Sequence, residues 1–393
     1  MRTGIGGFQG ARLTQAREVL GISKSDLATM VSVSPASVTN WESGKLKPEI
    51  EKVEALSKCL NQPIEWFIKE LSDGADSTYF YRSMASSSRR GRMTTKVRLN
   101  WLSELTETLS KYVSWPEIRL PENNTHFLQL SDEEIEVFAL ATREAAGVKS
   151  GPVPNMVLAI ENCGAFVTRD EIGYQKVDGT SFWCPNTKRP FVFLADDKSN
   201  GCRSRFNAAH ELGHLVLHKF VTDSEHSKHH AEIERQAHLF AGAFLMPERV
   251  FLNEVKYVTV ESLLALKMKW KVSIAAMIMR LHHLEVIDDD QKLNLYKRLS
   301  ARKWRTKEPF DEKIEFEIPR VLPRTVNLIT ENLMSKLELA HELVLSPHVS
   351  EKLLSLPMGY FDDTHHMENV VELKSRYRSG NVKSKKADVV KIF

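Results

Sequence analysis

Hydrophobic residues recur at helical spacing through the first 70 residues, and each short run ends at a residue that favours a turn. Leu13 to Leu20 forms one run, which Gly21 ends. Ser23 then begins a second helix, with Asp26 at the capping-box position. A later helix is predicted from about Ile50 to Leu60. The pattern predicts a small domain built entirely from short helices.

The helix from Pro35 to Glu42 is predicted to be small and polar on its outer face. Ser34 caps it, while Val38 and Trp41 supply its inner face. Two short helices joined by a tight turn form a helix-turn-helix, whose second helix enters the major groove of DNA. A small helical domain that binds a protein, or that holds a dimer together, would show the same pattern.

The turn residues of this domain form a recognisable series. The series is Gln15, Leu20-Gly21-Ile22-Ser23, Leu27-Ala28, Val33-Ser34, Val38 and Trp41-Glu42-Ser43-Gly44. On these residues, segment 8–71 resembles the lambda-repressor-like (XRE) helix-turn-helix family, which implies binding to an operator in double-stranded DNA. The contacts that the resemblance implies are Ser34, Ala36, Ser37, Thr39 and Asn40 in the groove, with Lys45 and Lys47 near phosphate. Residues 1–70 carry nine basic and eight acidic side chains, so a homodimer would have to supply additional affinity.

Residues 72–130 change in character and are interpreted as a linker followed by a helical connector. Serine and arginine are frequent from Ser86 to Arg92, where a solvated basic stretch is a more common explanation than contact with a DNA backbone. Apolar residues return at helical spacing from Val97 to Tyr112, and Ser131 begins another helix. Helices are also predicted from Thr325 to Leu343 and from Val349 to Leu356.

Between about residues 153 and 197 the hydrophobic pattern changes from helices to short apolar runs. The runs Ile160 to Phe166, Ser181 to Cys184 and Phe191 to Ala195 are predicted to be strands of a small sheet. A free edge of such a sheet could bind an extended peptide as an added strand.

The motif His210-Glu211-Leu212-Gly213-His214 follows this sheet. On a helix, residues four apart lie on one face, so both imidazoles can bind one zinc ion while Glu211 accepts a proton from water. Glu234 supplies a third ligand and leaves one coordination position open for catalysis. His218 is interpreted as a packed histidine or one that supports the ligands from behind. The histidines of the polar segment 223–230 could bind metal, but a solvated connecting loop is the more common explanation.

A second helical pattern follows the motif and completes a longer signature. It reads His210-Glu211-x-x-His214…His218, then Glu234-x-x-Ala237-x-x-Phe240-Ala241-x-x-Phe244-Leu245-Met246-Pro247. This signature, within roughly residues 130–285, resembles the ImmA/IrrE family of zinc metallopeptidases. The resemblance implies zinc on His210, His214 and Glu234, Glu211 as general base, and cleavage of DNA-binding repressors in the cytoplasm. His238 is a candidate donor to the transition-state oxyanion.

Composition excludes several classes of protein. With 42% hydrophobic and 27% charged residues the chain is typical of soluble globular proteins. No apolar run reaches the roughly 18 residues that a membrane span needs, and the first residues lack the apolar core of a signal peptide. The four cysteines form no CxxC pair, so we expect reduced thiols in the cytoplasm. A net charge of +3 does not by itself indicate nucleic acid.

The sequence thus predicts a multidomain α+β chain. Its segments are a helix-turn-helix domain (8–71), a linker and helical connector (72–130), a zincin-like metallopeptidase domain with a small sheet (131–285) and a mostly helical C-terminal region with a basic tail (286–393). One function is a DNA-binding regulator whose zinc endopeptidase cleaves a repressor or the chain itself. The other is a regulator or antitoxin without cleavage, whose zinc domain senses a signal or is structural. Glu211 favours the first, because a structural site has no use for a carboxylate beside an open position.

Overall fold

The computed structural model of the chain describes residues 4–71, 79–81, 89–171, 178–196, 200–362 and 390–391. The chain divides into two compact units, each assembled from segments that are distant in sequence. We call them unit 1 (Met1–Ser72, Trp101–Pro116 and Pro323–Phe393) and unit 2 (Asp73–Asn100 and Glu117–Leu322). Both units contain parts of the predicted segments 72–130 and 286–393, and the four domain bounds remain predictions.

Helices make up most of the described chain, with a small four-stranded sheet, as predicted, and a separate two-stranded parallel sheet. The first elements are α1 (Gly10–Leu20), α2 (Lys24–Met30), α3 (Pro35–Glu42), α4 (Ile50–Leu60), α5 (Ile64–Ile68), β1 (Phe80–Tyr81), α6 (Arg89–Leu109), β2 (Val113–Ser114), α7 (Asp132–Ala145) and α8 (Met156–Asn162). Next come β3 (Phe166–Asp170), β4 (Gly179–Trp183), β5 (Pro190–Ala195), α9 (Gly201–Leu217), α10 (Asp223–Lys228), α11 (His230–Leu245), α12 (Glu248–Glu254), α13 (Val260–Trp270) and α14 (Ile274–His283). The last are α15 (Asp289–Ala301), α16 (Val321–Asn332), α17 (Lys336–Leu343), α18 (Pro347–Leu353) and β6 (Val390–Lys391).

The two helices of the predicted helix-turn-helix begin where the sequence places them. Ser23 forms a capping box with Asp26 at the start of α2, and Ser34 accepts a hydrogen bond from the Ser37 N–H at the start of α3. Gly21 ends α1 with φ at +67°, a conformation that glycine adopts without steric cost. Local chemistry therefore determines the ends of these helices.

A buried core and an ion pair join these helices within unit 1. Leu13 and Val38 are fully buried. The Nε atom of Arg17 lies 2.6 Å from Oε1 of Glu42, and its Nη1 donates a hydrogen bond to the Ile22 carbonyl. Arg17 thus connects α1 to the end of α3 and to the turn that precedes α2.

The C-terminal part of unit 1 corrects one prediction. The sequence pattern predicts a single helix from Thr325 to Leu343, but α16 ends at Asn332 and α17 begins at Lys336. Ser335 forms a capping box with Glu338 and so starts a new helix inside the apolar pattern. The predicted basic tail at residues 383–386 lies outside the described residues.

The sheet of unit 2 has the strand order β1-β4-β5-β3. β3 is parallel to β5, whereas β4 is antiparallel to both β5 and β1. The strands predicted at Ser181 to Cys184 and Phe191 to Ala195 correspond to β4 and β5. The strand predicted from Ile160 to Phe166 is wrong over most of its length. Asn155 caps helix α8, which continues to Asn162 and so includes the first residues of the predicted strand. Gly164, with φ at +87°, then turns the chain toward β3.

The outer edge of β4 is paired with β1. Phe80 lies opposite Ser181 in an antiparallel register. Tyr79, directly before β1, is buried and stacks on Phe182 of β4 with ring centroids 4.6 Å apart. The chain itself therefore pairs with β4 on this side, where an extended peptide could otherwise add as a strand.

Helix α9 packs against β4, β5 and α11 in the core of unit 2. Gly213 of α9 faces Phe240 of α11 so closely that an added Cβ would lie 3.0 Å from the ring. Ala237 and Ala241 of α11 are fully buried. Small residues on both helices allow α9 and α11 to approach closely.

The polar segment 223–230 is not the solvated loop that the sequence predicts. It contains α10, which Thr222 begins in a capping box with Glu225. His226 is only 2% exposed, and burial lowers its pKa to about 4. The prediction is wrong because the segment forms a helix and packing buries its His226, while most of its other side chains stay exposed.

Three of the four cysteines are buried. Cys163 and Cys202 lie in the interior, and burial raises the pKa of both thiols to about 12. They are therefore protonated and unreactive near neutral pH. Among the described residues, no helix has both the length and the apolar character that a membrane crossing requires.

Candidate metal centre

His210 and His214 lie on one face of α9, one turn apart, and both are fully buried. Their rings meet edge to face with centroids 4.6 Å apart, and their Nε2 atoms are 3.0 Å apart. Burial lowers the pKa of His210 well below its ordinary value. His210 is therefore neutral near neutral pH, which is the form of histidine that binds metal ions.

Glu234 of α11 faces this pair. Its Oε2 lies 3.3 Å from Nε2 of His210, and its Oε1 lies 3.3 Å from Nε2 of His214. Burial alone would raise the pKa of the Glu234 carboxyl, but its close contacts with His210 and His214 outweigh burial and lower this pKa far below its ordinary range. The carboxylate is thus ionised in the presence of the two imidazoles.

The spacing of these three groups fits a zinc ion. Zinc–nitrogen bonds of 2.0–2.1 Å in a tetrahedral arrangement place ligand atoms about 3.4 Å apart. The observed separations of 3.0, 3.3 and 3.3 Å among His210, His214 and Glu234 are close to that value. Two imidazoles and one carboxylate are also a common donor set of catalytic zinc. The sequence-predicted ligands are therefore brought together in an arrangement that can hold this ion.

Glu211 lies on α9 next to His210 and is fully buried. Its Oε2 accepts a hydrogen bond of 2.7 Å from the Ser181 hydroxyl on β4. Gly179, also on β4, is so close that an added Cβ would lie 2.9 Å from Oε1 of Glu211. Strand β4 thus lies directly against the carboxylate, and the lack of a side chain at Gly179 makes room for it. Neither contact could be foreseen from the sequence.

A chain of hydrogen bonds leads away from His214. Its Nδ1 lies 3.0 Å from Nδ1 of His218, whose Nε2 lies 2.9 Å from Oε1 of Gln236. The amide nitrogen of Gln236 donates to the Phe127 carbonyl at 2.7 Å and to Glu232 at 3.0 Å. The Phe127 carbonyl can only accept a hydrogen bond, so the group of Gln236 that faces it must be the amide nitrogen. The amide oxygen of Gln236 therefore faces His218.

This chain selects one tautomer of each histidine. The oxygen of Gln236 accepts a hydrogen bond from the Nε2–H of His218, which leaves Nδ1 of His218 as an acceptor. His214 then donates from Nδ1 and keeps the lone pair of its Nε2. Burial lowers the pKa of His218 to about 3, so its ring stays neutral. The lone pair of His214 therefore points toward Glu234 in the form that a metal ion requires.

His238 lies beside the same group. It is half-buried on α11, and its ring centroid is 4.5 Å from that of His210. Phe206 stacks on the His238 ring at 5.8 Å. The candidate oxyanion donor is thus adjacent to a candidate metal ligand.

A buried ion-pair network holds the beginning of α9. Asn200 caps this helix and donates a hydrogen bond to Asp311. Nζ of Lys267 lies 2.5 Å from Asp311 and 2.8 Å from Glu308, and Glu308 in turn accepts from the Ile274 N–H at the start of α14. Burial would lower the pKa of Lys267, but the two carboxylates raise it overall, so the ammonium remains charged.

The candidate DNA contacts all lie on or beside α3 in unit 1. Val38 and Trp41 of this helix are buried, as the sequence predicts. The hydroxyls of Ser34 and Ser37 are 2.9 Å apart, so capping already engages both. The exposed candidates are Ser34, Ala36, Thr39, Lys45 and Lys47, and the half-buried ones are Ser37 and Asn40.

Comparison with protein families matches both the helix-turn-helix segment and the segment that contains the candidate metal centre. Residues 13–67 match the helix-turn-helix family model. Residues 160–282 match the peptidase M78 model, which describes the IrrE N-terminal-like domain. A search of curated proteins found no significant match. The chain therefore joins an XRE-type helix-turn-helix domain to an ImmA/IrrE-type metallopeptidase domain, in that order.

Proposed function

We propose that the chain is a cytoplasmic, DNA-binding transcription regulator that is also a zinc-dependent endopeptidase. One observation carries the proposal: Nε2 of His210, Nε2 of His214 and the Glu234 carboxylate face one another at 3.0 to 3.3 Å, with Glu211 buried beside them. A structural zinc site takes four protein ligands, whereas three leave a position for the reaction.

In this proposal His210, His214 and Glu234 hold the zinc ion. When bound, zinc supplies a Lewis acid that acidifies water and polarises a peptide carbonyl. Glu211 accepts the proton of the attacking water and later gives it to the leaving amine. The hydroxyl of Ser181 donates to one oxygen of Glu211 and so orients the carboxylate for both transfers.

The proposed substrate follows from the presence of a helix-turn-helix domain and a peptidase domain in one chain. A helix-turn-helix delivers the peptidase domain to an operator in double-stranded DNA, where repressors bind. We therefore propose a repressor or a related regulatory protein as substrate, or this chain itself. Such cleavage would control gene expression in stress response, mobile-element immunity or toxin–antitoxin systems. A homodimer would allow two half-sites to be bound at once.

The test compares protein N-termini in cells that carry wild type or Glu211→Gln, under several stresses. New N-termini that appear only with the wild type, inside a DNA-binding protein or this chain, would support the proposal and name the substrate. No difference under any stress, with zinc bound and promoter occupancy unchanged, would instead indicate a regulator that does not cleave.

Substitutions beside α3 are expected to separate two kinds of DNA contact. Lys45→Ala should weaken binding to all sequences and reduce the slope of log K against log salt by about 1. Asn40→Ala should cost about 1–3 kcal/mol on the preferred sequence, because a base contact is lost. Fluorescence anisotropy on genomic fragments selected by the wild type measures both. Lys58→Ala, exposed on α4, is the matched control, and an equal loss there would contradict the assignment of α3 to the groove.

Gln236→Leu is expected to lower zinc affinity by about 10–100-fold. His218 loses its acceptor, so His214 is no longer held in the tautomer that binds metal. Competition with a chromophoric chelator measures the affinity. Gln62→Leu removes another buried glutamine, which accepts from the Ser346 N–H in unit 1, and should leave zinc affinity unchanged. Equal affinity in wild type and Gln236→Leu would show that this chain of hydrogen bonds does not support the metal centre.

A further inference from the structure

A second group of metal-binding side chains lies beside the candidate metal centre and shares Glu234 with it. His226 of α10, His230 at the start of α11 and Glu234 each place a ligand atom within 4.8 Å of the others. His226 is almost fully buried, and its ring meets that of His230 edge to face with centroids 5.3 Å apart. Two imidazoles and a carboxylate are a donor set suited to zinc.

One nitrogen of this group is left without an ordinary partner. Among the described residues, Nδ1 of His230 is buried and makes no hydrogen bond. A buried polar atom in that state costs about 1–3 kcal/mol, and metal coordination would remove the cost.

Glu234 has the capacity to serve two ions. Its oxygens face His210 and His214, one each, at 3.3 Å. An ionised carboxylate offers about four lone-pair sites, so each oxygen can take a further partner. Glu234 can therefore contact a second ion on the side of His226 and His230 without leaving the first group.

We propose that His226, His230 and Glu234 form a second site for a divalent metal ion, with zinc as the best fit. Glu234 would then be a ligand shared by the two groups. The second ion binds more weakly, because His230 is half-exposed and the carboxylate is shared. This site goes beyond the proposed peptidase function, since its occupancy can be measured without any substrate.

The test counts the zinc ions bound to the full chain over a range of free Zn²⁺, by equilibrium dialysis and elemental analysis. The wild type is expected to bind one ion tightly and a second more weakly. His230→Gln should keep only the tight ion, and circular dichroism checks that this half-exposed substitution leaves the fold intact. His229→Gln, which changes the neighbouring histidine outside the group, is the matched control and should keep both ions.

Two results of the dialysis would overturn the proposal: a wild type that binds one ion at every free Zn²⁺ concentration, or a His230→Gln protein that still binds two. Titration of the wild type with Co²⁺ gives an independent reading, in which two successive rises in visible absorption support the site and a single rise contradicts it. His210→Gln tests the peptidase centre separately. If His210→Gln retained the tightly bound ion, the proposed peptidase centre would be contradicted, but the proposed second metal site would not.

Discussion

Glu211→Gln is expected to retain zinc and to slow peptide cleavage by about 10²–10⁴-fold. Glutamine has nearly the shape of glutamate but cannot accept the proton of the attacking water. The three candidate ligands on α9 and α11 are unchanged, so metal binding should persist. The cleavage rate of a substrate identified from new N-termini, measured together with zinc content, checks both halves of the expectation.

Two further variants bracket this result. His214→Ala should lose zinc and turnover together, because it removes a ligand. Ser181→Ala removes only the hydrogen bond that orients Glu211, so its loss of rate should be smaller than that of Glu211→Gln. Cleavage by Glu211→Gln at the wild-type rate would exclude Glu211 as the general base.

Lys267→Met is expected to destabilise unit 2 by about 3–5 kcal/mol. Methionine keeps much of the apolar stem but leaves the carboxylates of Glu308 and Asp311 buried without their cation. Asp311 also accepts from Asn200, so the start of the helix that carries the candidate ligands should loosen. Hydrogen–deuterium exchange in α9 and α13 measures the effect segment by segment, which suits a chain with two compact units.

Lys269→Met is the matched control on the same helix. The side chain of Lys269 is 56% exposed and pairs with Glu254 at 2.6 Å. Exposed pairs of this kind contribute about 0–1 kcal/mol, so exchange should change little. If both variants destabilised unit 2 equally, burial of the Lys267 network would not be the cause.

The sequence alone predicts those features of the structure that depend on residues close together in the chain. Ser23 and Asp26 are three residues apart, and their capping box begins α2 as predicted. His210 and His214 are four residues apart, so any helix through them brings the two imidazoles together. The matches to two family models confirm the order of the helix-turn-helix and peptidase domains.

Contacts between distant segments could not be predicted. Ser181 reaches Glu211 across 30 residues, and Gln236 reaches Phe127 across 109, and no periodicity encodes such pairs. The apolar run at 160–166 fits a strand or a buried helix equally well, and only its surroundings decide. The polar sequence of α10 likewise gives no sign that His226 is buried in unit 2.

The pairing of β1 with β4 makes residues 79–81 a competitor of any extended peptide that binds at this edge. A segment of the same chain typically acts at a roughly millimolar effective concentration, so a freely diffusing peptide of modest affinity would seldom displace it. Under the proposed function, a substrate held on the same operator would also be tethered and would compete at a similar effective concentration. Selectivity would then arise from shared location on DNA rather than from the sequence around the cleaved bond.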